Sequence, residues 1–197
     1  MKKHNFPIES FIAGWYIDPE ICDGLIQLFK DNKKRHKQGV IGGPWNVNKE
    51  KKNSIDLGIH PAYDEPRFMA YRNALAKCTG LYQEIYPEVK NFNKFGMIEG
   101  ANIQYYPPGG GYFVEHCERT SMMENRCLVW MTYLNEVPEA GTHFKYQDTT
   151  APGMKGLTLI WPTDFTHTHR GVISKTQEKY IITGWMGYVK QPGQSYE

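Results

Sequence analysis

The sequence predicts an α+β chain in which N-terminal helices support a double-stranded β-helix, or jelly-roll, barrel. Three observations predict it. Apolar residues recur at helical spacing in two stretches before residue 92; from about residue 95 the period shortens to that of strands; and Gly and Pro then cut the chain into short strands. A length of 197 residues suits one domain able to bury a core. Residues 1–197 are therefore read as a single domain, with helical support over about 1–92 and the barrel core over about 95–190.

The first helix is marked by Asp18 as cap, Pro19 in the first turn and Glu20 at the positive end of the dipole. Ile21, Cys22, Leu25, Leu28 and Phe29 form its apolar stripe, and the cations from Lys30 to Lys37 end it. Residues 38–62 read as one long irregular loop, broken by Gly42, Gly43 and Pro44 and polar from Lys49 to Asn53. A second helix follows Asp64 and Pro66, with a stripe of Phe68, Tyr71, Leu75, Cys78, Leu81, Tyr82 and Ile85, and Pro87 closes it. Strands are expected near 97–106, 111–118, 126–134, 142–147, 156–161, 165–170 and 178–188. Their breaks fall at Pro107-Pro108-Gly109-Gly110-Gly111, Pro138, Gly141, Pro152-Gly153, Pro162 and Gly171.

A net charge of +2 gives no reason to expect nucleic-acid binding, and the lysines and Arg35 between Lys30 and Lys52 read as a solvated helix end and loop. Cys22, Cys78, Cys117 and Cys127 make no Cys-x-x-Cys pair, which suits reduced thiols. With neither a leader-like apolar run nor a membrane span in view, a cytoplasmic location and no membrane partner are expected.

The chemistry centres on His116-Cys117-Glu118 and a later histidine. Two imidazoles and one carboxylate on one face can hold Fe(II) and leave the opposite positions open for a 2-oxoacid and dioxygen. In a strand, residues i and i+2 share a face, so His116 and Glu118 project together and Cys117 points away. The triplet alone is weak: a chain with 7 His and 21 acidic residues holds roughly 0.7 such triplets by chance. The third ligand is His167 or His169, which have the same strand parity.

A series of motifs strengthens the case. Tyr106-Pro107 leads through Gly111-Tyr112 to His116-Cys117-Glu118; Asn125-Arg126-Cys127 leads to Thr132-Tyr133-Leu134-Asn135; Ala140-Gly141-Thr142-His143-Phe144 follows. Lys155-Gly156-Leu157 then runs to Trp161-Pro162, and His169, Lys179-Tyr180 and Trp185 close the series. In this order the motifs resemble the 2-oxoglutarate- and Fe(II)-dependent oxygenases of the prolyl 4-hydroxylase type, especially the short forms carried by bacteriophages. The resemblance runs from about residue 97 to 188.

The resemblance implies Fe(II), 2-oxoglutarate and O2, with ascorbate as an optional reductant. It implies His116, Glu118 and His169 as metal ligands, since Lys179, ten positions after His169, then matches the basic residue that binds the distal carboxylate of 2-oxoglutarate. Tyr106, Tyr133 and the weaker candidate Thr183 would also bind the cosubstrate, and Arg126 and Trp185 the substrate. No catalytic residue is expected beyond the ligands. The implied reaction hydroxylates a C–H bond of a prolyl residue in a protein or peptide, with succinate and CO2 as coproducts, in a host cytoplasm if the protein is viral. Loop 38–62 with Trp45 would be a lid over that peptide. Two other readings stay open: an oxygenase for another residue, a free amino acid or a nucleobase, and a non-catalytic jelly-roll module.

The chain departs from the family in two places. Glu118 stands where most members have Asp, and Gly141-Thr142-His143 replaces Gly-Glu-Thr. His143 reads as structural or exposed. Arg170 is expected to point off the metal face. Strand parity also puts Arg126 and Tyr133 on opposite faces unless the strand begins after Arg126 or bulges.

Overall fold

The structure, a computed structural model, describes residues 1–41 and 46–189. Trp45, expected on the lid, lies outside them. In chain order the strands are β1 (Lys2–His4), β2 (Ala13–Tyr16), β3 (Lys37–Gln38), β4 (Lys52–Asn53), β5 (Ile55–Ile59), β6 (Phe95–Gly96), β7 (Ala101–Tyr106) and β8 (Gly111–Tyr112). They continue as β9 (Arg126–Tyr133), β10 (Val137–Phe144), β11 (Thr149–Gly153), β12 (Leu157–Pro162), β13 (His169–Gly171) and β14 (Lys179–Tyr188). Helix α1 spans Pro19–Asp31 and α2 spans Pro66–Ile85. Asp18 caps α1 by accepting from the Glu20 amide at 2.9 Å, and the Glu65 carboxylate caps α2.

Among the described residues the large antiparallel sheet runs β1-β2-β12-β9-β14-β7-β5-β3, with β6 on the end of β14. A second sheet runs β11-β10-β13, and β4 pairs with β8 in a ribbon of its own. Antiparallel sheets facing each other give the expected jelly roll.

Alternation along the central strands builds two cores from one sheet. Ile103, Leu128, Trp130, Ile160 and Ile182 face the helices and pack with Cys22, Leu25, Leu28, Phe68, Tyr71 and Cys78. Val129, Met131, Tyr133, Leu159, Trp161 and Ile181 face inward with Phe144 of the small sheet. Each such apolar side chain contributes roughly 1.5–3 kcal/mol of burial. A hydroxyl chain docks α2: Tyr71 Oη lies 2.9 Å from Thr132 Oγ1, which lies 2.7 Å from Thr158 Oγ1. Where Trp130 crosses β14, only Gly184 leaves room, because a Cβ there would sit 2.3 Å from the indole.

Several expectations need correction. Residues 38–62 are not one irregular loop: β4 joins β8, and β5 enters the large sheet beside β7. The expected strand 111–118 is regular only at Gly111–Tyr112; His116 makes an isolated bridge to His169 and Glu118 lies outside any strand. The physical reason is that Phe113, Glu118 and Arg119 give their amides to Lys51 and Thr163 carbonyls instead of a continuous neighbour. The stretch 165–170 divides into a 3-10 turn at Phe165–His167 and β13, while β1, β2 and β11 carried too little apolar alternation to be read. All four cysteines are free.

Candidate active site

The triad forms where the loop before β9 meets the start of β13 across one backbone bridge. His116 and His169 exchange amide-to-carbonyl hydrogen bonds, 2.9 Å in each direction. This short pairing puts both imidazoles on the inner face of the barrel, with ring centroids 4.4 Å apart. Glu118 reaches the same point because its amide and that of Arg119 both donate to the Thr163 carbonyl at 3.0 Å. One ligand atom from each of His116, Glu118 and His169 lies within 4.8 Å of the others. Glu118 Oε1 is 3.3 Å from His116 Nε2 and 3.7 Å from His169 Nε2.

Both histidine tautomers are fixed from behind. His116 Nδ1 lies 3.0 Å from the Val114 carbonyl, and His169 Nδ1 lies 2.8 Å from the His167 carbonyl. A carbonyl only accepts, so each Nδ1 carries a proton, and the lone pair of each neutral ring lies on the Nε2 turned inward. Tyr112 stacks on His116 at 3.8 Å between centroids, and Trp161 meets His169 edge-on at 5.2 Å. Burial, reinforced by neighbouring His116, pushes the His169 pKa down to about 4, so its ring is neutral. For Glu118, burial alone would favour the acid. The hydrogen bond and charge of His116, the charge that His169 gains in acid, and Arg126 together outweigh it and hold the carboxyl at about 2. Two inward lone pairs and an ionised oxygen form a cluster of acceptors, a donor set that fits a small cation.

His167 is excluded from this cluster. Its Nε2 lies 2.9 Å from the Ser10 carbonyl and its Nδ1 3.0 Å from Thr166 Oγ1. Cys117 turns its thiol to the Arg119 carbonyl. His143 contacts Thr150, and Arg170 pairs with His143 in register, so neither lines the cavity.

The triad opens into a cavity of about 400 Å³. Lys179 projects into it from β14 and is 6% exposed. Its ammonium donates to the carbonyls of Ala140 at 2.8 Å and Val172 at 3.0 Å. Among the described residues it has no carboxylate partner, and burial lowers its pKa to about 8. Its position fits an anion that the chain itself does not provide.

Tyr106, Tyr133 and Thr183 line the same cavity, with their hydroxyls engaged. Tyr106 donates to Gln104 Oε1 at 2.6 Å, Tyr133 Oη lies 2.7 Å from Thr142 Oγ1, and Thr183 donates to the Trp130 carbonyl at 3.1 Å.

Regular alternation along β14 brings Trp185 to the triad, and a bulge in β9 brings Arg126 there. The β9–β14 register shifts between Met186, opposite Leu128, and Gly187, opposite Arg126. The extra residue is Cys127, and it turns Arg126 to the face that parity denied it. The Arg126 guanidinium lies over the Trp185 ring, 3.5 Å from its centroid. Glu99 engages the same guanidinium at 2.8 and 2.7 Å.

Comparison with known proteins agrees with this geometry. Residues 101–187 match the model of the 2OG-Fe(II) oxygenase superfamily. The chain carries a 2OG-Fe(II) oxygenase domain. It is a 2-oxoglutarate-dependent dioxygenase, with Fe(II) as metal, 2-oxoglutarate as cosubstrate and O2 as oxidant. The oxygenase is similar in fold to a Pseudomonas putida prolyl-4-hydroxylase, with a TM-score of 0.68 at 15% identity over 93% of this chain and 97% of that one. It is similar to the viral collagen prolyl hydroxylase of Paramecium Bursaria Chlorella virus-1, solved with 2OG (0.67, 17%, 91% and 97%). A Trichoplax adhaerens prolyl hydroxylase, solved with a peptide fragment of the hypoxia inducible factor oxygen degradation domain, is also similar (0.71, 14%, 91% and 84%). No curated protein matches the oxygenase in sequence. No helix among its described residues is long and apolar enough to cross a membrane.

Sequence reasoning missed a polar wall of the cavity. Lys52 Nζ donates to Asp56 Oδ2 at 2.8 Å, Ser54 Oγ to Asp56 Oδ1 at 2.7 Å, and Gln104 Nε2 to Asp56 Oδ2 at 3.2 Å. Gln104 then accepts from Tyr106, so the wall ends beside the Lys179 ammonium, 5.4 Å from the Tyr106 ring centroid. Period-two spacing could have found Asn102 and Gln104, which share a face with Tyr106. Nothing local marked Lys52 or Asp56, because their place depends on β5 pairing with β7.

Proposed function

We propose that this oxygenase hydroxylates a prolyl residue of a protein or peptide. His116, Glu118 and His169 would hold Fe(II), and Lys179 the distal carboxylate of 2-oxoglutarate. The observation that carries the site assignment is the pairing, in one cavity, of two imidazoles and a carboxylate with a buried ammonium that has no anionic partner among the described residues. A prolyl substrate is supported by the fold likeness to three prolyl hydroxylases and by the apolar mouth made by Val40, Ile41, Met122 and Met123. Proline has no side-chain polar group to satisfy, so such a mouth suits it.

When bound, the metal supplies the redox chemistry by which O2 and 2-oxoglutarate become succinate, CO2 and the new hydroxyl of the substrate. The chain's own part is positioning. The Val114 and His167 carbonyls hold a proton on each Nδ1 and aim both Nε2 atoms inward. Lys179 neutralises the cosubstrate's far end where water is scarce, and Tyr133 and Thr142 offer hydroxyls beside it. Met131, Ile181 and Trp161 wall the cavity against water.

Succinate release with Fe(II) and 2-oxoglutarate, measured with and without His116→Ala, tests the metal assignment. Mapping one-oxygen mass shifts in candidate proteomes tests the substrate. Shifts on prolyl residues that vanish with His116→Ala support the proposal; His116-dependent shifts confined to other residues refute the prolyl part. Absence of His116-dependent turnover across all substrate mixtures favours a non-catalytic module.

A further inference from the structure

The side chains around Glu118 treat its two oxygens differently. Oε1 faces the histidines at 3.3 and 3.7 Å. Oε2 accepts a 3.0 Å hydrogen bond from the Trp185 indole Nε1 and lies 3.5 Å from Arg126 Nη1. Arg126 stacks on that indole at 3.5 Å and also donates from Nη1 to the Glu118 main-chain carbonyl at 3.2 Å. Its remaining nitrogens are held by Glu99, and its side chain is only 11% exposed.

We propose that Trp185 and Arg126 are positioning residues for the metal-binding carboxylate. Trp185 holds Oε2 so that Glu118 presents Oε1 alone, and Arg126, clamped by Glu99, fixes the indole in place. This rests on the assignment of His116, Glu118 and His169 as the metal ligands. The chemistry follows from the extra methylene of glutamate. A glutamate has one more rotatable bond than an aspartate, so its carboxylate can swing away or chelate through both oxygens. An indole N–H on one oxygen removes both freedoms before the metal arrives. The same methylene lets the carboxylate reach the indole. The departure from Asp at position 118 and the indole donor on β14 are therefore one device. With its nitrogens spent on Glu99 and Glu118, Arg126 keeps no free fork for a peptide.

The test uses the metal-free, full-length protein and Co(II) as the probe, reading its dissociation constant and its visible absorption. Trp185→Phe keeps a ring under Arg126 and removes only the N–H. It is expected to weaken Co(II) binding about 10–100-fold and to alter the absorption band, with the melting temperature of the metal-free protein unchanged. A loss smaller than about threefold overturns the proposal. In one ring orientation Trp185→His places its Nε2 where the indole Nε1 lies, and it reads the same contact should the Phe variant not fold. Co(II) binding within about threefold of the original, with the original band, is expected for it, and weaker binding counts against the proposal. His116→Ala separates the two levels. If it binds Co(II) as tightly as the unaltered protein, the ligand assignment fails; if it loses Co(II) while Trp185→Phe does not, only the positioning role fails.

Discussion

At Lys179 the barrel holds a cation away from water with two carbonyls and, among the described residues, no carboxylate, and its charge becomes sensitive to pH. Burial lowers its pKa from 10.5 to about 8. Between those values the unfolded chain binds the proton that the folded chain has released, so folding stability rises with pH across that window. Buried Cys22, Cys78 and Cys127, whose thiols are pushed up to about 12, oppose that rise above pH 9, so the Lys179 contribution is read as a difference: between pH 8 and 10.5 the stability of the metal- and cosubstrate-free protein should gain on that of Lys179→Met. Binding of 2-oxoglutarate should run the other way. In the proposed role of Lys179 it needs the ammonium, so its affinity should fall above about pH 8 and binding there should take up a proton, measurable by calorimetry in buffers of different ionisation heat. At this scale much was legible. The Lys179 spacing singled out His169 through the family pattern, and the structure sends His167 to the Ser10 carbonyl instead. Arg126 was legible as a residue near the site but not in its surroundings, because a one-residue bulge reverses the parity that the sequence suggests.

Among the elements, β5 and the β4–β8 ribbon were the least legible and shape the cavity wall. Leu57 and Ile59 alternate correctly, but Asp56 and Gly58 on the other face read as loop until β7 lies beside them. Asp56 is the hub of that wall, accepting from Lys52, Ser54 and Gln104. Asp56→Ala would leave the Lys52 ammonium, 5% exposed, without its anion. Breaking a buried pair from one side costs about 3–5 kcal/mol. For a chain of this size that is a fall in melting temperature of roughly 6–20 °C, seen by calorimetry. Exchanging both partners for apolar residues of similar volume should recover most of it. The helices, by contrast, were readable almost to their ends. Their stripes and caps are local, and Asp18 caps α1 as its position announces.

For the whole molecule, the proposed metal site ties the loop before β9 to the first residue of β13, so metal binding there would be coupled to folding. Mn(II) at a hundred times its dissociation constant should stabilise the protein by about 2.7 kcal/mol. That corresponds to a rise of roughly 5–10 °C in melting temperature. A chelator should reverse it, and His116→Ala should show neither change. A rise of equal size in that variant would place the metal elsewhere.

The sequence by itself determined the jelly-roll class, the two helices, the candidate triad with its lysine, and the reaction class. Each rests on short-range periodicity or on motifs carried in order along the chain. Only the tertiary structure decided what surrounds those residues. It set the bridge that joins His116 to His169, the polar wall centred on Asp56, and the bulge that turns Arg126 onto Glu118 and the Trp185 ring. The physical reason is that backbone pairing between distant segments, and the single-residue slips within it, fix which side chains meet, and no local pattern of residues encodes either.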